Sequence, residues 1–161
     1  MQVLPEQESI GLLVAATRRR IKQAVGRRVR SHRLSAQQFG LLVAVVEREG
    51  PSLRELADRR RMDQPTTSRI VTTLIRKKLV REEGDPRDRR RRCLRLAAPG
   101  RALAERLYPV ALELRAAIVG GLSPAERAAL RNGLRKIIHN MDRFERGGPA
   151  GLRAVSAGRG R

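Results

Sequence analysis

Residues 52–96 read SLRELADRRRMDQPTTSRIVTTLIRKKLVREEGDPRDRRRRCLRL, and the reading of this stretch decides the fold. It opens on Ser52 with Glu55 three places later, a pair able to satisfy two orphan backbone N–H groups reciprocally as a capping box. A short helix is therefore predicted over 52–60, with Leu53, Leu56 and Ala57 facing inward. Asp63 stands as the N-cap of a second helix over 63–78, and Pro65 falls in its first turn, where a missing N–H costs little. Ile70, Leu74 and Ile75 are expected to pack inward. The opposite face then presents Gln64, Thr66, Thr67, Ser68, Arg69, Thr72, Thr73, Arg76 and Lys77, with no acid after Asp63. Residues 79–83 and 92–96 read as short strands, the second alternating with period two. They flank Gly84-Asp85-Pro86-Arg87-Asp88, which is turn chemistry. Two short helices and a hairpin in this order make a winged helix-turn-helix.

Outward from that lobe the chain is helical. Ile10, Leu13, Val14, Thr17, Ile21, Ala24, Val25 and Val29 recur at steps of three and four, which predicts a helix over 7–30. Ser35 with Gln38 and Ser123 with Glu126 repeat the capping signature and open helices over 35–48 and 123–144, the latter with Pro124 at its favoured first position. A further helix spans 98–119. The fold class is mainly α with a small β-hairpin wing. Four segments are expected: a dimerisation helix at 7–33, the DNA-binding lobe at 34–97, further dimerisation helices at 98–145, and a disordered basic tail at 146–161. The apolar stripes of the flanking helices exceed what one small lobe can cover, which points to a homodimer.

Charge narrows the function. Lys and Arg number 36 against 16 Asp and Glu, a net +20 over 161 residues. A polyanionic partner follows. Only four of the 36 are Lys, so codon bias toward Arg contributes as well. No stretch is apolar and long enough to span a membrane, and the acidic N-terminus is no secretory leader. The single cysteine, Cys93, excludes an internal disulfide and suits a reducing cytoplasm. No nucleophile-base set, glycine-rich phosphate loop or metal-ligand cluster is present, so the chain does not read as an enzyme and no cofactor or metal is expected.

The remaining chemistry is recognition of duplex DNA. Hydroxyls, amides and guanidinium groups on the 63–78 helix can meet base edges or phosphates in a major groove. Arg87, Arg89, Arg90, Arg91 and Arg92 crowd the hairpin, and an Arg at a narrow tip can enter the minor groove, where negative potential is focused. Asp88 is expected to orient a neighbouring guanidinium. The alternative is a sequence-indifferent nucleoid-type or RNA-binding protein, which the charge allows. One Tyr and two Phe are few for base stacking.

Residues 34–100 resemble the MarR (multiple antibiotic resistance regulator) family. The likeness is carried by LSAQQFGLLVAV, by Glu55-Leu56-Ala57, Ser68-Arg69 and Leu79-Val80-Arg81, and by the wing GDPRDRRRRCLRLAAPG. It implies a triangular homodimer whose terminal helices interlock and whose two lobes reach successive major grooves of a pseudo-palindromic operator. Ser68 and Arg69 resemble the recognition-helix contacts, and Asp88 and Arg90 the wing pair. The implied activity is transcription regulation, as a repressor released by a small-molecule ligand; an aliphatic pocket rimmed by Arg suits an aromatic carboxylate. Two departures stand out. Lys78 occupies a position where the family usually has Gly, and Ala97-Ala98 replaces the usual Thr before Pro99-Gly100. Cys93 is expected to be structural, its alternative being a thiolate stabilised by nearby Arg. His32 and His139 are too few for zinc sensing.

Overall fold

The computed structural model describes residues 9–48, 50–86, 88 and 90–147. In chain order the elements are α1 (Ile10–Val29), a 3-10 turn (Arg30–His32), α2 (Ala36–Glu47), α3 (Leu53–Arg60), α4 (Gln64–Arg76), β1 (Val80–Gly84), β2 (Arg92–Leu96), α5 (Ala98–Val119) and α6 (Pro124–Gly147). Every element expected from the sequence is present, and its ends fall within a few residues of the expected ones. Residues 7 and 8 of the first predicted helix lie outside the described residues. So does most of the basic tail, while Arg146 and Gly147 belong to α6.

The helix starts follow local chemistry. Ser35 accepts the Gln38 N–H at 3.1 Å and the Ser35 N–H donates to Gln38 Oε1 at 3.0 Å. Ser52 and Glu55 exchange the same pair of bonds at 3.3 and 2.7 Å, and Ser123 and Glu126 at 3.3 and 2.8 Å. All three expected boxes are closed. Asp63 caps α4 by accepting the Thr66 N–H at 2.7 Å.

The helix ends are less ordinary. Arg33, Arg61 and Lys78 all take positive φ, between 51° and 56°, where glycine is the usual occupant. After α4, the Leu79 N–H reaches the Leu74 carbonyl at 3.0 Å and the Lys78 N–H reaches Ile75 at 2.8 Å. After α3, Met62 and Arg61 bond Ala57 and Asp58 in the same pattern. Both are Schellman closures. The departure from Gly at 78 thus leaves the cap's hydrogen bonds intact and puts its cost into the backbone.

Residues up to Arg115 form one compact unit. Its core is aliphatic apart from Phe39 and centred on α2, whose Leu41 and Leu42 are fully buried, against Val29, Leu56, Leu74 and Leu94. In α4 the buried positions are Thr67, Val71 and Leu74, with Ile70 half-buried against the core. Ile75 was expected inside but is 37% exposed. Val71 takes the inward place, because positions 67, 71 and 74 share one stripe and 75 lies off it. β1 and β2 pair antiparallel, Val80 opposite Leu96 and Gly84 opposite Arg92. The Leu94 N–H also donates to the Pro51 carbonyl at 2.9 Å, fastening the hairpin to the segment before α3.

From Ala116 onward lies a second unit, containing the end of α5 and all of α6. α6 has no buried residue: Leu130, Leu134, Ile138, Met141 and Phe144 are between 38% and 52% exposed. In the first unit, Ile10, Leu13 and Val14 of α1 are likewise exposed, whereas Val25 and Val29 at its other end are buried.

Candidate nucleic-acid interface

The interface is built on α4 and the hairpin. With Thr67, Val71 and Leu74 turned inward, the outward surface of α4 carries Gln64, Pro65, Arg69, Thr72 and Arg76, all exposed, and Thr66, Ser68 and Thr73, half-buried. The face is polar and free of acid beyond the cap. The Thr66 amide, first among its causes, holds the Asp63 carboxyl below its usual value, so the cap stays ionised and matched to the helix N-terminus. Arg69 donates to the Thr66 hydroxyl at 3.2 Å, and Arg76 to that of Thr73 at 3.4 Å. The threonines thus tether the guanidinium groups along the surface. Lys77 is turned away from this face, donating to the Arg33 carbonyl and to Gln38 Oε1.

Thr67 requires a correction. It was expected on the reading face, but it is fully buried and its hydroxyl donates to the Asp63 carbonyl at 2.9 Å. Its position on the Val71–Leu74 stripe outweighs its polarity, since the main-chain acceptor satisfies the hydroxyl inside the lobe.

Arg90, Arg91 and Arg92 of the hairpin have three different surroundings. Arg90 is exposed in the turn that closes with the Arg91 N–H on the Asp88 carbonyl, at 2.9 Å. Asp88 Oδ1 accepts the Arg90 backbone N–H at 2.9 Å and so helps shape the turn; the expected steering of a guanidinium turns on Arg87 and Arg89, which lie outside the described residues. Arg92 lies on β2 and pairs with Glu82 at 3.4 Å. Arg91 points back to the lobe and binds Glu55 at 2.6 Å and Asp85 at 2.5 Å. The five-arginine tip expected from the sequence is thus reduced, because Arg91 and Arg92 have protein carboxylates as partners. Arg87 and Arg89 lie outside the described residues.

Gln64, Ser68 and Thr72 of α4, Arg54 of α3, and Arg90 and Arg92 of the hairpin border one open groove of about 500 Å³. The structure therefore brings the recognition helix and the wing to a common surface. Arg54 was missed by sequence reasoning. Its signal was available: it is the exposed second residue of α3, between the inward Leu53 and the capping Glu55.

A second hollow of about 750 Å³ lies between the end of α2, β2 and α5, with Arg81, Arg95, Arg101 and Tyr108 among its lining. Nearby, Glu47 at the end of α2 binds Arg59 of α3 at 3.0 Å and also Arg115 of α5. Cys93 is buried, and burial, aided by Asp85, pushes its thiol up from the usual value. This opposes the alternative of an arginine-stabilised thiolate. Among the described residues no three His, Cys, Asp or Glu side chains gather to hold a metal, and no helix is long and apolar enough to cross a membrane.

Comparison with known proteins agrees with this geometry. Residues 33–91 match the family model described as MarR family. The chain is 34% identical over 105 residues to the HTH-type transcriptional repressor NicR of Pseudomonas putida, a match covering 65% of this chain and 66% of NicR. It is also similar to the Bordetella bronchiseptica BpsR structure, which concerns regulation of DNA binding by 6-hydroxynicotinic acid. That similarity has 31% identity and a TM-score of 0.69, over 84% of this chain and 97% of BpsR. The S. aureus MepR–DNA complex shares the fold, with a TM-score of 0.74 and 21% identity over 83% of this chain and 96% of that one. With a winged helix-turn-helix in place and these relatives beside it, the chain belongs to the MarR family of transcription regulators and is not an enzyme.

Proposed function

We propose that this protein is a sequence-specific repressor that binds a pseudo-palindromic operator as a homodimer in the cytoplasm and is released by a small aromatic carboxylate. The observation that carries the reading is the surface shared by α4 and the wing. Gln64, Ser68 and Thr72 share one open groove with the exposed Arg90, and Arg69 is exposed on the same helix, which carries no acid after its Asp63 cap. Short polar side chains on a helix read base edges in the major groove, and an arginine on a hairpin tip suits the adjacent minor groove.

Dimerisation is supported by two uncovered apolar stripes, Ile10, Leu13 and Val14 on α1 and Leu130, Leu134, Ile138, Met141 and Phe144 on α6. Helices that expose such stripes in one chain gain by covering them with a second copy. The proposed dimerisation segments are 7–33 and 98–145, around a DNA-binding lobe of 34–97. The repressor sense is taken from NicR, and the effector class from BpsR.

The test is selection of duplexes from a random library by the purified protein, followed by footprinting with and without 6-hydroxynicotinic acid and related aromatic carboxylates. A palindromic consensus with half-sites about 34–36 Å apart supports the reading. Equal recovery of all sequences would return the sequence-indifferent alternative. A footprint insensitive to every aromatic carboxylate would remove the effector class alone.

A further inference from the structure

Arg91 is a hairpin arginine committed to protein partners. Its guanidinium donates to Glu55 Oε2 at 2.6 Å, to Asp85 Oδ2 at 2.5 Å and to the Gly50 carbonyl at 3.3 Å. Both terminal nitrogens are engaged, and the side chain is about one third exposed. Its partners belong to different parts of the lobe. Glu55 closes the capping box of α3 and takes a second guanidinium, Arg48, at 2.8 Å. Gly50 precedes α3, and Asp85 follows β1. The Asp85 N–H also donates to the Arg91 carbonyl at 2.9 Å, closing the tip across its base. Arg90, the exposed wing residue, lies inside that closed tip, one position away.

We infer that Arg91 is a positioning residue for operator recognition: its bridge from the wing to Glu55 at the start of α3 fixes where Arg90 stands relative to α4. A two-stranded ribbon is pliable, and one bond from Leu94 to Pro51 leaves its far end free to swing. A guanidinium fork between two carboxylates is directional and suits fastening that end. The bridge also withdraws one cation from the DNA surface, so affinity gained through Arg91 is gained by orientation.

This inference rests on the DNA-binding reading, and the experiment separates the two. The probe is the duplex selected by the wild-type chain, with Arg90→Ala as reference. Glu55→Gln removes a negative charge yet keeps a residue that serves in a capping box. On charge alone it should bind DNA more tightly. The bridge demands the reverse: Glu55→Gln weakens binding about tenfold, the size of one lost contact. Hydroxyl-radical protection of the minor groove flanking each half-site fades while dimethyl-sulfate protection of guanine N7 in the major groove persists. Asp85→Asn acts in the same direction, and Arg91→Gln combined with Glu55→Gln is no worse than Arg91→Gln alone.

Three results would overturn the inference. Glu55→Gln could bind as tightly as wild type while Arg91→Gln loses affinity, which makes Arg91 a direct DNA contact. All protections could fade together in step with a lowered melting temperature, which makes the network one of folding only. The wild type could select no duplex, in which case the DNA-binding reading fails first.

Discussion

Gly100 lies so close to the main-chain carbonyl of Leu79 that a Cβ would overlap its oxygen, and the Ala97 N–H donates to that same carbonyl at 3.0 Å. The first turn of α5 is therefore seated directly on the chain entering β1. This contact accounts for Pro99-Gly100 and supports the helix start where the usual Thr is missing. Gly100→Ala should destabilise the fold by about 1–3 kcal/mol through overpacking, measured by urea unfolding. An unchanged midpoint would show that the two segments part easily.

Lys78 holds a left-handed conformation that an L side chain adopts at a cost of about 1–2 kcal/mol. Glycine removes that cost but adds freedom to the unfolded chain, so Lys78→Gly should stabilise by about 0.5–1 kcal/mol. The same direction is expected at Arg33 and Arg61. Thermal unfolding checks it, and a lowered midpoint at all three sites would contradict it.

Glu55 gives the fold an acid-sensitive joint. The Ser52 backbone N–H, which is the largest favourable cause, and then the Arg91 guanidinium hold its carboxyl down at about 2 against an ordinary 4.5. The folded form thus releases this proton more readily than the unfolded chain. The stability it contributes is fully present above 4.5 and is lost as pH falls from there toward 2. Glu55→Gln should flatten the stability profile in that window and lower stability by a constant amount above it. An identical acid limb in both proteins would mean the network contributes nothing.

Thr67 and Ser68 are neighbours with opposite surroundings. Thr67→Val should leave operator affinity within about twofold, since a buried side chain carries no base contact. Arg69→Ala should cost about 1–3 kcal/mol at the selected site and relax its sequence preference. Binding isotherms on the consensus and on single-base variants decide both. A large loss in Thr67→Val with an intact fold would contradict the buried placement.

Much of this architecture was legible because it is local. Ser35, Ser52 and Ser123 announce their helices by a partner three residues away, and Asp63 with Pro65 announces α4. The errors lie where the answer depends on phase or on distant partners. Ile75 and Thr67 were each placed on the wrong side of α4, because hydrophobicity alone does not fix a helix's rotation when Val71 and Ile75 compete for the core. Arg91 could not be told from Arg90 or Arg92 in a run of like residues. Its partner Glu55 is 36 positions away and already has a local role in capping. Arg54 was passed over for a related reason, since its value comes from the wing folding beside it.

The most direct measurement is equilibrium binding of the full chain to its selected duplex and to a scrambled one across a salt series. For a dimer meeting about 10 phosphates, log K should fall with log salt at a slope near −9 on the specific site. That site should be preferred by about 1,000-fold or more, and Arg69→Ala should narrow the gap. A slope near −2, or equal affinity for both duplexes, would contradict the assignment of α4 and the wing as an operator-reading surface.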